Sequence, residues 1–519
     1  MLVTPKLTYH FGAYYHFPLG LAYVSAAVKE AGHKVLVLNQ NNNPETLLYQ
    51  METAFSSFEV DIVCTGGLTP NYTSIKNIFT SARLIKPDVL TICGGGLITS
   101  EPELIAELLD ITAGVCGEGE VTIAALINAI AKGKDLKNIP DIVYKNSHGK
   151  YRSTKKRKTI SNIDIIPFPD YDGFGIEGYL DRQAPNDSYA TSPVDNPRMM
   201  PILGSRSCPL TCSFCFHPLG NNYRQRSLDN IFQEIDMLIA KYNVNGLMIY
   251  DELFATGNKL KRVRNFCERI KRRGIYWRVS LRVDCVDRRL LEKMRDSGCY
   301  YIGYGIENIS STVLKSMGKR ICRNQIEKAL ALTKRAKIGV QGNLLFGEVA
   351  ETRETIRKNI DWWMNNLQYQ LHLVPIDTYP GSRLYKKAVE NNKITKKVEF
   401  IEEGNYKINN SFLDDNEYYS LSEMLTSIQK DNLVFKADIL KSECKGLDRY
   451  GRNISSYTVK CPHCNFIVEY NNIVNQEFTS YNIHPEYHKL ACRSCFQRFD
   501  VPVLSKNLYG KISEGEVNT

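Results

Sequence analysis

Short apolar runs alternate with helical patterns twice along this 519-residue chain, and that repetition constrains its fold more than any other feature. Within residues 1–150, runs at 34–38, 60–64, 88–93 and 111–116 read as buried parallel strands, with helical stretches at 19–31, 71–85 and 101–109 between them. Strands alternating with helices predict a doubly wound, Rossmann-like α/β sheet. Such sheets bind ligands at the carboxyl ends of their strands. The glycines fall there: Gly66-Gly67, Gly94-Gly95-Gly96 and Gly117-Glu118-Gly119-Glu120 each follow a strand. Glycine lets a backbone come close to a bulky ligand, so three groups in register predict a shared ligand surface, against the plainer alternative of turn glycines.

The alternation resumes over residues 196–400. Helical patterns at 228–242, 258–273, 290–297, 324–336 and 352–366 separate strand-like runs at 246–250, 277–282, 300–305, 340–346 and 371–376. About six strand–helix repeats predict a partial (β/α)6 barrel, whose working end is the carboxyl end of its strands. Asp251, Glu252, Arg282, Asp284, Glu307 and Glu348 gather there. The opening strand, 199–203, runs into a loop holding Cys208, Cys212 and Cys215. Three thiolates from one loop suit a cubane iron–sulfur cluster whose fourth iron stays open to a small molecule. A structural zinc ion wants four protein ligands, and His217 is the only further donor close by. Tyr300, Tyr301 and Tyr304 read as packing or cavity lining, and Trp362-Trp363 as core.

Composition removes other classes. Hydrophobic residues at 43% and charged residues at 24% describe ordinary globular material of about three or four domains. No run approaches the roughly 18 apolar residues of a membrane span. Met1-Leu2-Val3-Thr4-Pro5 lacks the features of an export signal, and fifteen cysteines then argue for thiols and metal sites in a reducing, cytoplasmic compartment. A formal charge of +10 permits an acidic or nucleic-acid partner without requiring one.

Residues 151–195 read as a linker: a charge run at 150–158, then an extended stretch with Pro167 and Pro169. Residues 401–455 read as a helical connector, 456–505 as a small ribbon and 506–519 as a flexible tail. The ribbon carries Cys461-Pro462-His463-Cys464 and Cys492-Arg493-Ser494-Cys495, with 27 residues between the pairs. Four soft ligands in two knuckles favour a structural zinc ion, ahead of a second iron–sulfur cluster or no metal. His463, His484 and His488 read as surface residues. Lys460, Lys489, Arg493 and Arg498 offer nucleic acid a minority foothold.

Cys208-x-x-x-Cys212-x-Phe214-Cys215 resembles the signature of the radical S-adenosylmethionine (SAM) enzymes. Pro18-Leu19-Gly20-Leu21-Ala22-Tyr23, Gly32-His33-Lys34-Val35, Gly94-Gly95-Gly96 with Thr99 and Pro102-Glu103, and Gly117-Glu118-Gly119-Glu120 resemble the cobalamin-binding domain found ahead of many radical SAM barrels. Asp-x-His-x-x-Gly, which elsewhere supplies a lower ligand to cobalt, is absent from the sequence, as it generally is in the radical SAM branch. Ile166-Pro167-Phe168-Pro169-Asp170-Tyr171-Asp172 is similar to the family's segment between the two domains.

Spanning about residues 15–390, the resemblance implies a 4Fe–4S cluster on Cys208, Cys212 and Cys215, and cobalamin against Gly66, Gly67, Gly94, Gly95, Gly96, Gly117, Glu118 and Gly119. It also implies SAM-binding roles. The backbone of Phe214 would meet the adenine, Tyr250-Asp251-Glu252 the amino group, and Arg282, in the family's strand-four position, the carboxylate or ribose. Glu307 matches a following Gly-x-Glu. The stretches 313–319 and 379–385 match further family patterns, whereas Phe346-Gly347-Glu348-Val349-Ala350-Glu351-Thr352 departs from one and is expected to alter a loop. The implied reaction cleaves SAM with one electron, from a donor such as flavodoxin or ferredoxin. The 5′-deoxyadenosyl radical takes a hydrogen atom from an unactivated carbon, and methylcobalamin methylates that carbon. A C-methyltransferase acting on a small molecule or peptide is therefore expected. The alternatives are an oxidative cyclisation or rearrangement with the same cofactors and, from another class, a nucleic-acid-binding or modifying protein docking through the ribbon.

Overall fold

The computed structural model describes residues 1–8, 11–187, 191–256, 260–404, 406–475 and 484–504. The expected 506–519 tail lies outside them. At the N-terminus, seven strands stand in the order β2-β1-β3-β4-β5-β6-β7: β1 Leu2–Thr4, β2 Val37–Asn39, β3 Ile62–Gly66, β4 Leu90–Gly94, β5 Ala113–Val115, β6 Ile142–Lys145 and β7 Tyr151–Ser153. The first five pair in parallel, and β6 and β7 continue the sheet antiparallel. Leu2, Cys64 and Ile92 pack on one face with Val28, Ile123 and Leu126, while Val3 and Val63 face Met51 and Ile78 on the other. Helices Leu19–Glu30 and Gly119–Ala131 supply the first set; Leu47–Ser57 and Tyr72–Ile85 supply the second. The sheet is doubly wound, as the alternation predicts. At three residues, β1 is too short to leave a periodic signal.

The second sheet has six strands in the order β15-β14-β13-β12-β11-β8, every pair parallel. They are β8 Met199–Ile202, β11 Gly246–Ile249, β12 Tyr276–Leu281, β13 Cys299–Glu307, β14 Gly339–Phe346 and β15 His372–Pro375, and the small ribbon of β9 Ser205–Arg206 and β10 Arg224–Gln225 leaves the top of β8. Side-chain caps set two of the helix starts: Ser227 and Asp287 accept from the backbone N–H three residues on, fixing helices Leu228–Tyr242 and Arg288–Asp296. Trp277, Trp362 and Trp363 lie in the core. The barrel stays open between β8 and β15. Each edge is blunted by a glutamine side chain: Gln183 pairs with both N–H and C=O of Met199, and Gln429 with those of Leu373, at 2.7–2.9 Å.

Two expectations are corrected. The 151–195 segment is not a loose linker. It contains helix Ile176–Asp181, and Tyr171, Phe174, Tyr179 and Leu180 are buried in the barrel's own core. Arg182, 1% exposed, donates to the Asn41 carbonyl and Asn42 Oδ1 of the first domain. Its aromatic residues bury more apolar surface than its prolines and charges advertise. Nor is 401–455 helical throughout. Helices Lys397–Glu403 and Asp415–Asn432 give way to β16 Asp438–Leu447, which pairs antiparallel with β17 Asn453–Lys460; β18 Ile467–Val474 completes that sheet, and β19 Tyr487–Ala491 pairs with β20 Arg498–Pro502. In β16 only Ser442 and Cys444 are even partly buried, so the strand carries no apolar alternation that would set it apart from the flanking helical pattern. Among the described residues, no helix is long and apolar enough to cross a membrane.

Candidate active site at the barrel mouth

Pairing of β9 with β10 closes the cysteine loop at its base. Above, Ser213 N–H donates to the Met317 carbonyl at 2.9 Å, Leu384 N–H to the Ser213 carbonyl at 2.8 Å, and the Arg383 guanidinium to the Thr211 carbonyl at 3.0 Å. Gly318, at φ +71°, lies under the loop, where a Cβ would come within 3.1 Å of the Thr211 oxygen. The stretches 313–319 and 379–385 are thus the clamps that hold the loop. Cys212 is buried, Cys208 and Cys215 half-buried. A hydrogen bond from Cys215 favours the Cys212 thiolate, and Lys319 adds to the effect. The Phe214 ring packs against Val313, Met317, Ile376 and Leu384.

The polar residues expected at the strand ends are there, with their own partners. Asp251 Oδ1 accepts from Gly204 N–H at 2.6 Å and Oδ2 from Ser205 Oγ at 2.8 Å, so the carboxylate braces the passage from β8 into the loop. Burial raises its pKa to about 6. Glu252 pairs with His217. Tyr250 OH lies 2.9 Å from His16 Nδ1. Arg282 forks onto Asp284 at 2.8 and 2.7 Å and donates to the Arg320 carbonyl. Glu307, at φ +64°, meets Lys319 at 2.7 Å. Counted from β8, Arg282 follows the third barrel strand and Glu307 ends the fourth, which corrects the strand-four placement of Arg282. In the altered loop, Glu348 accepts from Ser316 Oγ and Ala350 N–H, and Glu351 from Gly347 N–H. The loop is changed but tightly bonded.

Most of the glycines serve the fold of the first domain itself. A Cβ on Gly66 would meet the Gly94 carbonyl at 2.6 Å, and one on Gly95 the Gly67 carbonyl at 2.8 Å. Gly67 and Gly119 are closed by Asn71 and Val24. The surface they leave is open: nothing approaches a Cβ on Gly94 within 4 Å. A Cβ on Gly96 would meet Leu68 at 2.8 Å before Phe216 at 3.6 Å, and one on Gly117 would lie 3.7 Å from the Pro218 carbonyl, so these two glycines border the cysteine loop. Phe216 stacks on Tyr379, whose hydroxyl accepts from Thr69 N–H at 3.1 Å. The glycine loops thus already touch the cysteine loop at Gly96 and Gly117, and the backbone face that would suit a flat ligand such as a corrin is the open one at Gly94.

Glu118 is not turned toward such a ligand. Its carboxylate meets Arg206 Nη1 at 3.1 Å and Arg224 Nη1 at 2.7 and 2.8 Å, and Glu120 also pairs with Arg206. All four side chains are nearly buried. Arg206 stands two residues before Cys208, so this cluster welds the glycine-rich loop to the base of the cysteine loop. Sequence reasoning missed both arginines, because nothing in the residues around Cys208 shows that Arg206 faces another domain.

In the tail, Cys461, Cys464, Cys492 and Cys495 bring their sulfurs within 4.8 Å of one another. Backbone N–H groups of His463 and Ser494 donate to Cys461 and Cys492 Sγ at 3.4 Å. Among the described residues this is the only such gathering. The histidine expectation is corrected: His484 and His488 are buried, and His488 bonds Asn186 and Asn475. The basic residues also turn inward. Lys489 pairs with Asp500, Arg498 with Gln370, and Arg493 lies over the Tyr470 ring.

Phe496 of the second knuckle enters the bottom of the barrel, packing with Met199, Met248, Tyr300 and Tyr301. Above this layer a cavity of 310 Å³ is lined by His16, Tyr250, Arg278, Ser280, Tyr301 and Gln341, among others. Tyr301 thus both packs and lines, whereas Tyr304 is core, with its hydroxyl on Thr333.

Residues 12–127 match the B12 binding domain family, and residues 202–361 the Radical SAM superfamily. The chain is 32% identical over 385 residues to an uncharacterized methyltransferase of Pyrococcus horikoshii, covering 72% of this chain and 79% of that one. It is 26% identical over 358 residues to the anaerobic magnesium-protoporphyrin IX monomethyl ester cyclase of Rubrivivax gelatinosus, covering 66% and 62%. In structure it is similar to the radical SAM methyltransferase TsrM of Kitasatospora setae with cobalamin and a 4Fe–4S cluster bound, at a TM-score of 0.60 and 19% identity over 75% of this chain and 74% of that one. The cobalamin-dependent radical enzyme OxsB gives a TM-score of 0.60 at 18% identity over 84% and 61%. At such identities the structural likeness is one of fold. The chain is an enzyme of the radical SAM superfamily, in the branch that carries a B12-binding domain ahead of the barrel. The cofactors of that class are a 4Fe–4S cluster, SAM and cobalamin.

Proposed function

We propose that this protein is a C-methyltransferase that methylates an unactivated carbon of a small molecule or peptide. The cluster is assigned to Cys208, Cys212 and Cys215, SAM to the barrel mouth near Phe214, Tyr250, Glu252, Arg282 and Glu307, and cobalamin to the surface of Gly94, Gly96 and Gly117. The observation that supports this reading is that Gly96 and Gly117 of the B12-binding domain border Phe216 and Pro218 of the cysteine loop, so the glycine-rich loops and the cysteine loop are neighbours. The bound groups supply hydrogen-atom abstraction and a methyl donor, chemistry outside the reach of side chains. The protein's part is placement. Arg206, Glu118 and Arg224 fix the two domains to each other, Asp251 holds the loop's entry, and the pairs Arg282–Asp284 and Lys319–Glu307 give the mouth a polar rim of both signs.

The four tail cysteines are assigned to a structural zinc ion, whose tetrahedral thiolate set they match in type and spacing. Electrons would come from a flavodoxin or ferredoxin, in a cytoplasmic setting. Similarity to the cyclase keeps oxidative cyclisation as the second reading. Docking on nucleic acid through the tail is disfavoured by the inward pairing of Lys489 and Arg498.

Products separate the two enzymatic readings. Methyl transfer releases both S-adenosylhomocysteine and 5′-deoxyadenosine; a cyclase releases the second alone. Metal analysis of the anaerobically reconstituted enzyme is expected to show about four irons lost from Cys208→Ala/Cys212→Ala/Cys215→Ala, with zinc retained. Iron retained in that variant would remove the cluster assignment.

A further inference from the structure

A run of cations leads from the first domain to the cysteine loop. Lys150, Arg152, Lys155, Lys156, Arg157 and Lys158 fall within residues 150–158, which hold no carboxylate. Beyond β7 the chain is pinned along its length. Asp141 N–H donates to the Lys155 carbonyl at 3.0 Å, Arg157 N–H to Asp141 Oδ1 at 3.0 Å, and Ile160 N–H to Glu118 Oε2 at 3.0 Å. The Asp141 carbonyl accepts from Cys116 N–H just past the carboxyl end of β5, so the run crosses the ligand-binding end of the first sheet. It reaches the cysteine loop at Thr159, whose Oγ1 accepts from Asn222 Nδ2 at 2.7 Å. Next to it, Asn221 Nδ2 donates to the carbonyls of Cys208 and Leu210 at 3.1 and 2.9 Å.

Lys155, Lys156 and Lys158 are exposed, and within the run the ion pair among the described residues is that of Arg152 with Glu103. The segments that clamp the loop carry the same sign: Lys315, Arg320 and Arg383 are exposed, Arg383 donating to the Thr211 carbonyl. The carboxylates of the neighbourhood are engaged, Glu118 with Arg206 and Arg224, Glu252 with His217, Asp284 with Arg282 and Glu307 with Lys319. On the loop itself Pro209, Thr211, Gly220, Asn221 and Asn222 are exposed, so its backbone meets solvent here. No exposed large apolar side chain falls within residues 150–160 or 205–225. A surface of one sign without an apolar anchor favours a brief, charge-steered encounter. It offers bases nothing to stack on, which disfavours nucleic acid.

From this placement we infer that the cationic rim of the cysteine loop is the docking surface for the electron donor, a small acidic protein that carries one electron. The inference rests on the assignment of the cluster to that loop and deepens it, because the cluster needs one electron from outside the chain. On docking, the carrier is oxidised by one electron and the cluster is reduced by one, with no bond made or broken. Lys155, Lys156 and Lys158 steer the approach, and Asn221 and Asn222 join their segment to the loop that receives the electron.

The test uses the anaerobically reconstituted holoenzyme and the hydroquinone of a flavodoxin of net negative charge, with cluster reduction followed by stopped-flow absorbance. The wild-type rate is expected to fall about tenfold or more between low and high salt. At low salt, Lys155→Glu/Lys156→Glu/Lys158→Glu should be reduced about tenfold or more slowly than wild type, with iron and corrinoid content unchanged. Lys34→Glu/Lys132→Glu/Lys134→Glu changes the net charge equally at the amino end of the first sheet, about 20 Å away along helix Gly119–Ala131, and should keep the wild-type rate. Photoreduced deazaflavin, a small reductant that needs no docking surface, should reduce all three proteins alike. Equal slowing of the two variants overturns the inference, as does a wild-type rate indifferent to salt. Loss of corrinoid from the rim variant at an unchanged flavodoxin rate assigns the lysines to the cofactor and also overturns it, as does tighter binding of a single-stranded RNA than of the flavodoxin. Should the rim variant fail to load iron, Lys155→Gln/Lys156→Gln/Lys158→Gln carries the test: the rate must still fall by about threefold, and an unchanged rate sinks the proposal. The two readings fail separately. Iron retained after loss of the three loop cysteines removes the cluster assignment, whereas a wild type reduced by deazaflavin but gaining nothing from the rim loses the docking surface alone.

Discussion

Glu118 holds two arginines, 88 and 106 residues away in sequence, at a buried junction between domains. Glu118→Gln would leave Arg206 and Arg224 partly uncompensated there, a change that typically costs about 3 kcal/mol when a buried ionic group loses its partner. A lowered denaturation midpoint is expected, together with loss of corrinoid before loss of iron in a spectral titration. Adding Arg206→Met and Arg224→Met to Glu118→Gln should recover much of the stability, since apolar replacements remove the stranded charges. An unchanged midpoint in Glu118→Gln would show that the cluster is not coupled to domain docking. The contrast with the cysteines shows what single residues disclose. Cys208, Cys212 and Cys215 were legible because cluster chemistry fixes both residue type and spacing along one loop. The role of Glu118 was not, because a glycine-rich loop predicts a ligand surface while the direction of one carboxylate depends on arginines in another domain. Asp251 was likewise found at the right strand end but facing inward, onto Gly204.

Elements were legible where their periodicity was long enough to repeat. Both parallel sheets follow from alternation, whereas three-residue β1 and the edge strand β16, which lies between a helix and a glycine-bent hairpin, carry too little pattern to compete with their surroundings. The loop after β14 shows how an element can depart from a family pattern yet stay ordered. Burial raises Glu351 from 4.5 to about 7, while Gly347 and Glu348 N–H bonds resist that rise. The folded-state value lies above the unfolded one, so this contribution to stability is complete below about pH 4.5 and is lost as pH rises through about 7. At roughly 1.4 kcal/mol per unit the effect is on the order of 3–4 kcal/mol. Glu351→Gln should flatten the fall in stability across that window, measured by chemical denaturation at fixed pH steps. A slope identical to wild type would place the titration elsewhere. At the barrel's open edge, Gln429→Leu leaves the Leu373 N–H and C=O without their side-chain partner, at a cost of about 1–3 kcal/mol. Faster hydrogen exchange confined to β15 would be its signature.

At the scale of the molecule, the tail module is part of the barrel's construction. Phe496 fills the bottom layer, the Arg295 guanidinium lies 4.0 Å over its ring, Gln497 donates to the Ile338 carbonyl, and Arg498 is fixed by Gln370. Gly339 has to be glycine because the Phe496 carbonyl and the Tyr301 ring would each come within 2.6 Å of a Cβ. Removal of zinc by a chelator, or Cys461→Ser/Cys464→Ser, is therefore expected to loosen β13 and β14 at their starts as well as the tail itself. Hydrogen exchange should rise at residues 299–302 and 338–341 while the iron content stays at the wild-type value. Exchange confined to residues beyond 456 would show the module to be an independent appendage. The aromatic layer also makes the barrel dependent on the end of the chain. Until Phe496 is in place, Met199, Met248, Tyr300 and Tyr301 lack the ring that covers them, so a barrel released without its tail would present a sticky apolar floor to its neighbours.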